Sequence, residues 1–257
     1  MIKVESISKY YGKNTPNEVV ALDRVSMTIE EGEFVVVIGV NGSGKSTLLN
    51  ALAGTFICDS GRIMVDNADV TKEPDFKRAK YIGRVFQNPY SGTAPTMTIA
   101  ENLQMASLRG ERKGLKIGLT KERRAYLQEQ LKALQMGLEN RMDTPIGLLS
   151  GGQRQAVTLL MAAMQKPKIL LLDEHTAALD PISAEQVLYI TNDLIQRFNL
   201  TALMVTHSMS YAARFGTRVI MMNLGDIVCD IRGEEKRNLN EEALMQRFNE
   251  RHIHIIY

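Results

Sequence analysis

Gly39-Val40-Asn41-Gly42-Ser43-Gly44-Lys45-Ser46-Thr47 follows directly on the apolar run Phe34-Val35-Val36-Val37-Ile38 and leads into Leu48-Leu49-Asn50-Ala51-Leu52-Ala53. Five consecutive Phe, Val and Ile residues fit a buried strand, and residues 45–53 fit a helix. Strand, loop, helix is the context in which G-x-x-x-x-G-K-[ST] reads as a phosphate-binding loop. Gly42 and Gly44 lack a Cβ, so the backbone can turn successive N–H groups towards one anion. The helix starting near Lys45 adds unpaired N–H groups and the positive end of its dipole. Lys45 supplies a full positive charge for the β- and γ-phosphates, and the Ser46 hydroxyl is a hard oxygen ligand for Mg2+. The stretch predicts a nucleotide site containing Gly39, Asn41, Gly42, Ser43, Gly44, Lys45, Ser46 and Thr47.

Around this loop, 257 residues allow one large domain or two small ones, and 44% hydrophobic content supports a sizeable core. A formal net charge of +2 is too small to imply nucleic-acid binding as the main business, and none is expected. Cys58 and Cys229 show no C-x-x-C spacing, which suits a reducing compartment and core packing rather than metal ligation. The opening M-I-K-V-E-S-I lacks the apolar stretch of a secretory signal, and no run reaches the length of a membrane helix. A soluble, cytoplasmic chain able to sit on a membrane partner is expected.

The first thirty residues alternate in strand fashion over 2–10 and 19–29, split by the turn-rich G-K-N-T-P-N at 12–17, and predict an antiparallel pair. Tyr10 and Tyr11 then point to opposite faces, leaving one ring at a surface where it could stack on a nucleobase. Residues 61–65 and 81–86 read as further strands joined by a short polar connection, with Gln87 at the end of the second. From 88 to 148 the character changes to a helical insert. Thr98-Ile99-Ala100-Glu101 forms a capping box, with helical patterns to about 108 and again over 120–136. The basic, glycine-rich stretch 109–118 between them reads as a solvated loop. Helix and strand alternate again from Gly151: helix to 165, strand 169–172, helix 181–198, strand 202–206. Asp180 and Pro181 give an N-cap and N1 pair, a hairpin turns at 223–225, and a last helix covers about 240–250.

Two further groups of residues carry chemistry. The run Ile169-Leu170-Leu171-Leu172 ends in Asp173 and Glu174, the form of a strand that delivers acids to a phosphate site. Asp173 can hold Mg2+ through its water shell, and Glu174 is then available to take a proton from the water attacking the γ-phosphorus. Leu149-Ser150-Gly151-Gly152-Gln153 opens a helix and forms a second anion cradle by the same physics as the first. One γ-phosphate hardly needs two cradles from one chain, which points to a second subunit offering its copy.

On these motifs, and over roughly residues 2–230, the sequence resembles the ATP-binding subunits of ATP-binding cassette (ABC) transporters. The resemblance implies an α/β fold with a phosphate-loop NTPase core and mixed sheet (1–87 and 149–257), including an N-terminal antiparallel β part, and a helical subdomain (88–148) with the signature at its end. It implies that Tyr11, with Tyr10 second, stacks on adenine. Gln87 matches the glutamine that senses Mg2+, the attacking water and the coupling helix of the membrane subunit. Asp173 and Glu174 match the metal-associated and catalytic acids, Asp180 the cross-dimer aspartate, and His207 the switch histidine on the γ-phosphate. ATP would be held in a head-to-tail dimer between one subunit's phosphate loop and Ser150, Gly151, Gly152 and Gln153 of the other.

The implied partners are a second copy or a homologous ATPase subunit, integral membrane permease subunits, and indirectly a solute-binding protein. The implied place is the inner face of the cell membrane. His175 stands where the family has Pro, which loosens the turn but removes no catalytic group. This His-Thr variant resembles bacterial importer ATPases serving aromatic amino acids or related small solutes. About fifty residues follow His207, too few for the regulatory domain of sugar importers. A soluble cassette ATPase, such as the scaffold ATPase of iron-sulfur cluster assembly, is the alternative reading.

Overall fold

A computed structural model describes residues 1–110 and 118–250. In chain order the elements are β1 (Ile2–Tyr11), β2 (Val19–Ile29), β3 (Phe34–Ile38), α1 (Lys45–Ala53), β4 (Ser60–Val65), β5 (Ala68–Asp69), α2 (Asp75–Arg78) and β6 (Ile82–Val85). The insert carries α3 (Ile99–Ser107) and α4 (Lys121–Leu131). Then come α5 (Gly151–Ala163), β7 (Ile169–Asp173), α6 (Pro181–Phe198), β8 (Ala202–Val205), α7 (Met209–Arg214), β9 (Arg218–Asn223), β10 (Asp226–Arg232), α8 (Gly233–Arg237) and α9 (Glu241–Glu250). The backbone divides into two compact units, Met1–Ile82 with the chain from Thr201 onward, and Gly83–Leu200.

In the first unit, all five side chains of β3 are buried. Two-sided burial is what a continuous apolar run requires of a central strand. β3 is parallel to both neighbours, with Val37 opposite Val205 of β8 and Ile38 opposite Met221 of β9. β10 adds antiparallel to β9, so the sheet is mixed. Leu224 and Gly225, at φ 47° and 82°, make the two-residue turn between β9 and β10, a twist-matched hairpin connection. A separate antiparallel sheet runs β2-β1-β4-β5.

Two buried arginines brace this unit. Arg218 pairs with Asp230 through Nε–Oδ1 at 2.7 Å and Nη2–Oδ2 at 2.8 Å, and donates to the Thr28 carbonyl. Arg78 donates to the carbonyls of Ala51, Leu52, Thr71 and Glu73. The first two are among the last four carbonyls of α1, which have no partner inside the helix. A buried charge is tolerable because its donors are used.

In the second unit, β6 lies beside β7, and α5 packs on α6, whose Val187, Leu188, Leu194 and Ile195 are buried. Thr98 caps α3 with the reciprocal Glu101 bond the sequence predicts. Behind it, buried Asn102 exchanges hydrogen bonds with Ala94 and donates to the Met97 and Thr98 carbonyls. The helix expected over 120–136 ends at Leu131 in a 3-10 turn over Lys132–Leu134. Gln135 and Gly137, at φ 52° and 67°, break the α geometry there. Residues 111–117 of the basic stretch lie outside the described residues. Among the described residues no helix is long and apolar enough to cross a membrane. Cys58 and Cys229 are half-buried free thiols, and no group of three or more metal-ligating side chains occurs among the described residues.

Candidate active site

Within the first unit, β3 ends and the phosphate loop begins where two neighbouring structures press against it. Gly44 caps α1 at φ 100°, a conformation closed to most residues, and a Cβ there would lie 2.5 Å from the Ala21 carbonyl of β2. A Cβ on Gly39 would strike the Met222 carbonyl and come within 2.5 Å of Ser43 Oγ. The hairpin turn supports the loop from the same side: Gly225 N–H donates to the Ser43 carbonyl at 3.1 Å, and Asp23 N–H to the Gly225 carbonyl. Nothing local in the sequence announces that brace.

Lys45 is buried at 4% exposure, with Nζ donating to the carbonyls of Gly39 (2.8 Å) and Val40 (2.9 Å). Its ammonium therefore sits inside the curl of the loop. Ser43 Oγ is buried there without a hydrogen-bond partner, an arrangement that costs free energy unless an acceptor or donor is supplied. Asn41, Gly42 and Ser46 are exposed and Thr47 half-buried. A glycine-rich loop leading into a helix N-terminus, with a buried cation and an unsatisfied hydroxyl, fits a triphosphate chain.

Two other predicted residues lie in this unit. Thr206 N–H bonds to the Val37 carbonyl, so His207 emerges beside the strand that delivers the loop. Tyr11 pairs across the sheet with Val19, two residues before the carbonyl that faces Gly44. The ring is 44% exposed, meets Phe56 edge-on at 6.2 Å, and has Lys9 Nζ 5.8 Å from its centroid. Tyr10 is half-buried and holds Lys13 5.3 Å from its ring centroid. The exposed, backed ring is thus Tyr11.

The acids belong to the second unit. Asp173 is the last residue of β7 and Glu174 follows at φ 43°, a left-handed conformation unusual for a non-glycine residue and frequent at functional sites. Next in the chain, His175 is buried, with Nε2 2.9 Å from Thr191 Oγ1. Thr191 spends its single proton on the Val187 carbonyl at 2.7 Å. His175 must therefore donate, which fixes the neutral Nε2–H tautomer.

Burial pushes the His175 pKa down to about 4, from an ordinary 6.5. His175 is thus a structural pin and stays neutral at physiological pH. Because the unfolded chain takes the proton first, stability is fully present above pH 6.5 and falls as the pH drops from 6.5 towards 4. Between pH 7.5 and pH 5 this group should remove about 2 kcal/mol. Urea unfolding at the two pH values, compared with His175→Asn, should show a pH-dependent loss in the native chain that the variant lacks.

The stretch predicted as a second cradle also lies within this unit and forms the start of α5. Ser150 caps α5 by accepting from Gln153 N–H, and Gln153 Oε1 returns the bond to Ser150 N–H. S-x-x-Q is itself a capping-box signal, and it is the local pattern from which this cap can be read. Ser150 and Gly151 are exposed, whereas Gly152 is buried against Ser183, where a Cβ on the glycine would lie 3.0 Å from Ser183 Cβ. Asp180 caps α6 through Ser183 N–H at 3.0 Å, and the Ser183 bonds hold its carboxyl below the usual range. An open, polar recess of about 240 Å³ is lined by Ser150, Gly152, Gln153, Ser183 and Gln186 with Met136.

Sequence reasoning missed what α5 does behind its N-terminus. Gln155, fully buried, donates through Nε2 to the Phe86 carbonyl at 3.1 Å, immediately before Gln87. Arg154, also buried, donates to the carbonyls of Ile146, Gly147 and Leu149, and its guanidinium lies 3.7 Å from the centroid of the Tyr90 ring. The exposed Gln87 therefore sits between two attachments to the helix that carries Ser150–Gln153. Sequence separations of about 70 residues leave no local pattern from which to read such contacts.

A glycine-rich loop around a lysine after a buried parallel strand, with strand-end acids elsewhere in the same α/β chain, defines a phosphate-loop ATPase. The family model for ABC transporters matches residues 22–177, more than half of the chain. A tyrosine transport ATP-binding protein from Clostridioides difficile is 40% identical over 250 residues, covering 96% of this chain and 98% of its own length. Among solved structures, the ADP conformation of MJ1267, an ATP-binding cassette of an ABC transporter, superposes with a TM-score of 0.80 at 29% identity over 99% of both chains. A dimeric post-hydrolysis state of the cassette MJ0796, bound to ADP and Pi, gives 0.75 at 31% identity over 90% of this chain and 98% of that one. The chain belongs to the ABC transporter family as an ATP-binding subunit, an ATPase whose hydrolysis is coupled to transport.

Proposed function

We propose that two such chains, identical or homologous, hold ATP between them head to tail and drive a membrane permease. Each pocket takes Tyr11 on the adenine and Gly39, Asn41, Gly42, Ser43, Gly44, Lys45, Ser46 and Thr47 on the phosphates. The other chain supplies Ser150, Gly151, Gly152 and Gln153 to the γ-phosphate, and Asp180 across the interface. Glu174 accepts the proton of the attacking water, while Gln87 and His207 hold that water and the γ-phosphate in register. The donors offered to a metal are a hydroxyl, a carboxylate and an amide oxygen, from Ser46, Asp173 and Gln87. All three are hard ligands of the kind Mg2+ takes alongside nucleotide phosphates, where it neutralises their charge.

The observation that carries this reading is that two glycine-containing stretches, 39–47 and 150–153, each lead into a helix N-terminus, one in each unit of the chain. The solved dimer of a relative 31% identical supports the pairing. The tyrosine transport relative supports an aromatic amino acid as the solute; in the proposed arrangement it is taken up through permease subunits at the inner face of the membrane and delivered by a solute-binding protein. Ser150→Arg tests the shared pocket by placing a long cation at the cradle's rim. It should abolish ATP-driven dimerisation, followed by solution mass, while each chain still binds a fluorescent ATP analogue. Loss of the cap costs α5 about 1 kcal/mol, so a thermal melt should show a folded variant. A normal ATP-dependent dimer would refute the arrangement.

A further inference from the structure

The strand beside β7 delivers a positive charge to the acid at its end. Arg84 of β6 places Nη2 3.2 Å from Asp173 Oδ2, and both side chains are only 18% exposed. Its guanidinium lies 4.6 Å from the centroid of the Phe86 ring, two residues further along the chain. Phe86 is in turn fixed by the bond from Gln155 to its carbonyl. The ion pair uses one carboxylate oxygen, and Oδ1 takes no hydrogen bond from a described residue.

A cation this close to a carboxylate that must attract another cation opposes that attraction. The same cation aims the carboxylate and offsets the repulsion from the adjacent Glu174. We propose that Arg84 is a positioning residue for Asp173 that sets how strongly nucleotide binding depends on Mg2+. It keeps one oxygen engaged and the other available, and holds the gain from the metal below what a bare aspartate would give. The inference rests on the reading of Asp173 as part of the metal's surroundings.

The test compares the Kd of a fluorescent ATP analogue for the purified chain in chelator with its Kd at saturating Mg2+. Arg84→Met, which keeps the stem over Phe86 and removes the charge, should raise the ratio of the two by about tenfold. Arg84→Lys, which keeps the charge, should stay within about twofold of the native chain. Asp173→Ala should lower the ratio. A ratio unchanged in Arg84→Met while Asp173→Ala lowers it overturns the role of Arg84 and leaves that of Asp173 standing. A ratio indifferent to Asp173→Ala overturns the reading of Asp173 and the inference with it. If Arg84→Met does not fold, Arg84→Gln, which drops the charge but keeps a donor, carries the same expectation.

Discussion

Glu174→Gln should lower ATP turnover by about 10²- to 10⁴-fold while leaving nucleotide affinity close to that of the native chain. The backbone that carries the side chain is held by its neighbours. Before it lies Asp173, ending a strand whose four preceding residues are buried. After it comes the His175 pin on Thr191, and Ala177 N–H closes a turn onto the Glu174 carbonyl at 2.9 Å. Glutamine keeps the shape and the left-handed backbone but cannot accept a proton. Chemistry is then lost with binding retained, so the ATP-bound dimer should accumulate and be visible as doubled solution mass. Single-turnover hydrolysis and an ATP titration measure the two halves of the expectation separately. Hydrolysis at the native rate would remove Glu174 from the role of base.

Lys45→Ala should weaken ATP binding by about 10²-fold or more. Nζ holds the Gly39 and Val40 carbonyls at 2.8 and 2.9 Å from a position almost out of contact with water. Alanine takes away the cation that the proposed site turns to the phosphates and leaves both carbonyls short of a charged donor. Charge-assisted hydrogen bonds of this kind contribute about 1.5–3 kcal/mol each, and roughly 1.4 kcal/mol is tenfold in affinity. Titration of a fluorescent ATP analogue gives the number directly. An affinity equal to the native value would count against the loop as the phosphate site.

The parts of this chain legible in its sequence are those in which one short stretch contains its own explanation. The loop, its strand and its helix are contiguous, and α1 and α6 begin and end where the pattern of apolar residues and caps places them. The Thr98 box is a four-residue signal and forms as written. What could not be read falls into two kinds. α2, α7 and α8 have 4, 6 and 5 residues, too few to establish a helical period. Residues 66–80 accordingly read as a polar connection and in fact carry β5, α2 and the buried Arg78. The second kind is side chains whose partners are remote in sequence. Arg78, Arg84, Arg154 and Gln155 look like solvent-facing polar residues, because such residues are seldom buried, yet Arg78, Arg84 and Gln155 each reach a backbone carbonyl or a carboxylate from another part of the chain, and Arg154 reaches the Tyr90 ring. In the candidate site, residue types announced the chemistry, while the bracing behind it emerged only from three-dimensional packing.

The attachments of α5 on either side of Gln87 have a mechanical corollary. A helix is stiff along its axis, and here it grips the chain just before the glutamine through Gln155 and just after it through Arg154 and Tyr90. In the paired arrangement proposed above, the tip of that helix rests on cargo held by the opposite chain. A tug at the tip would then arrive at the glutamine without slack, so a chain with nothing in its own pocket would still sense whether its mate is loaded.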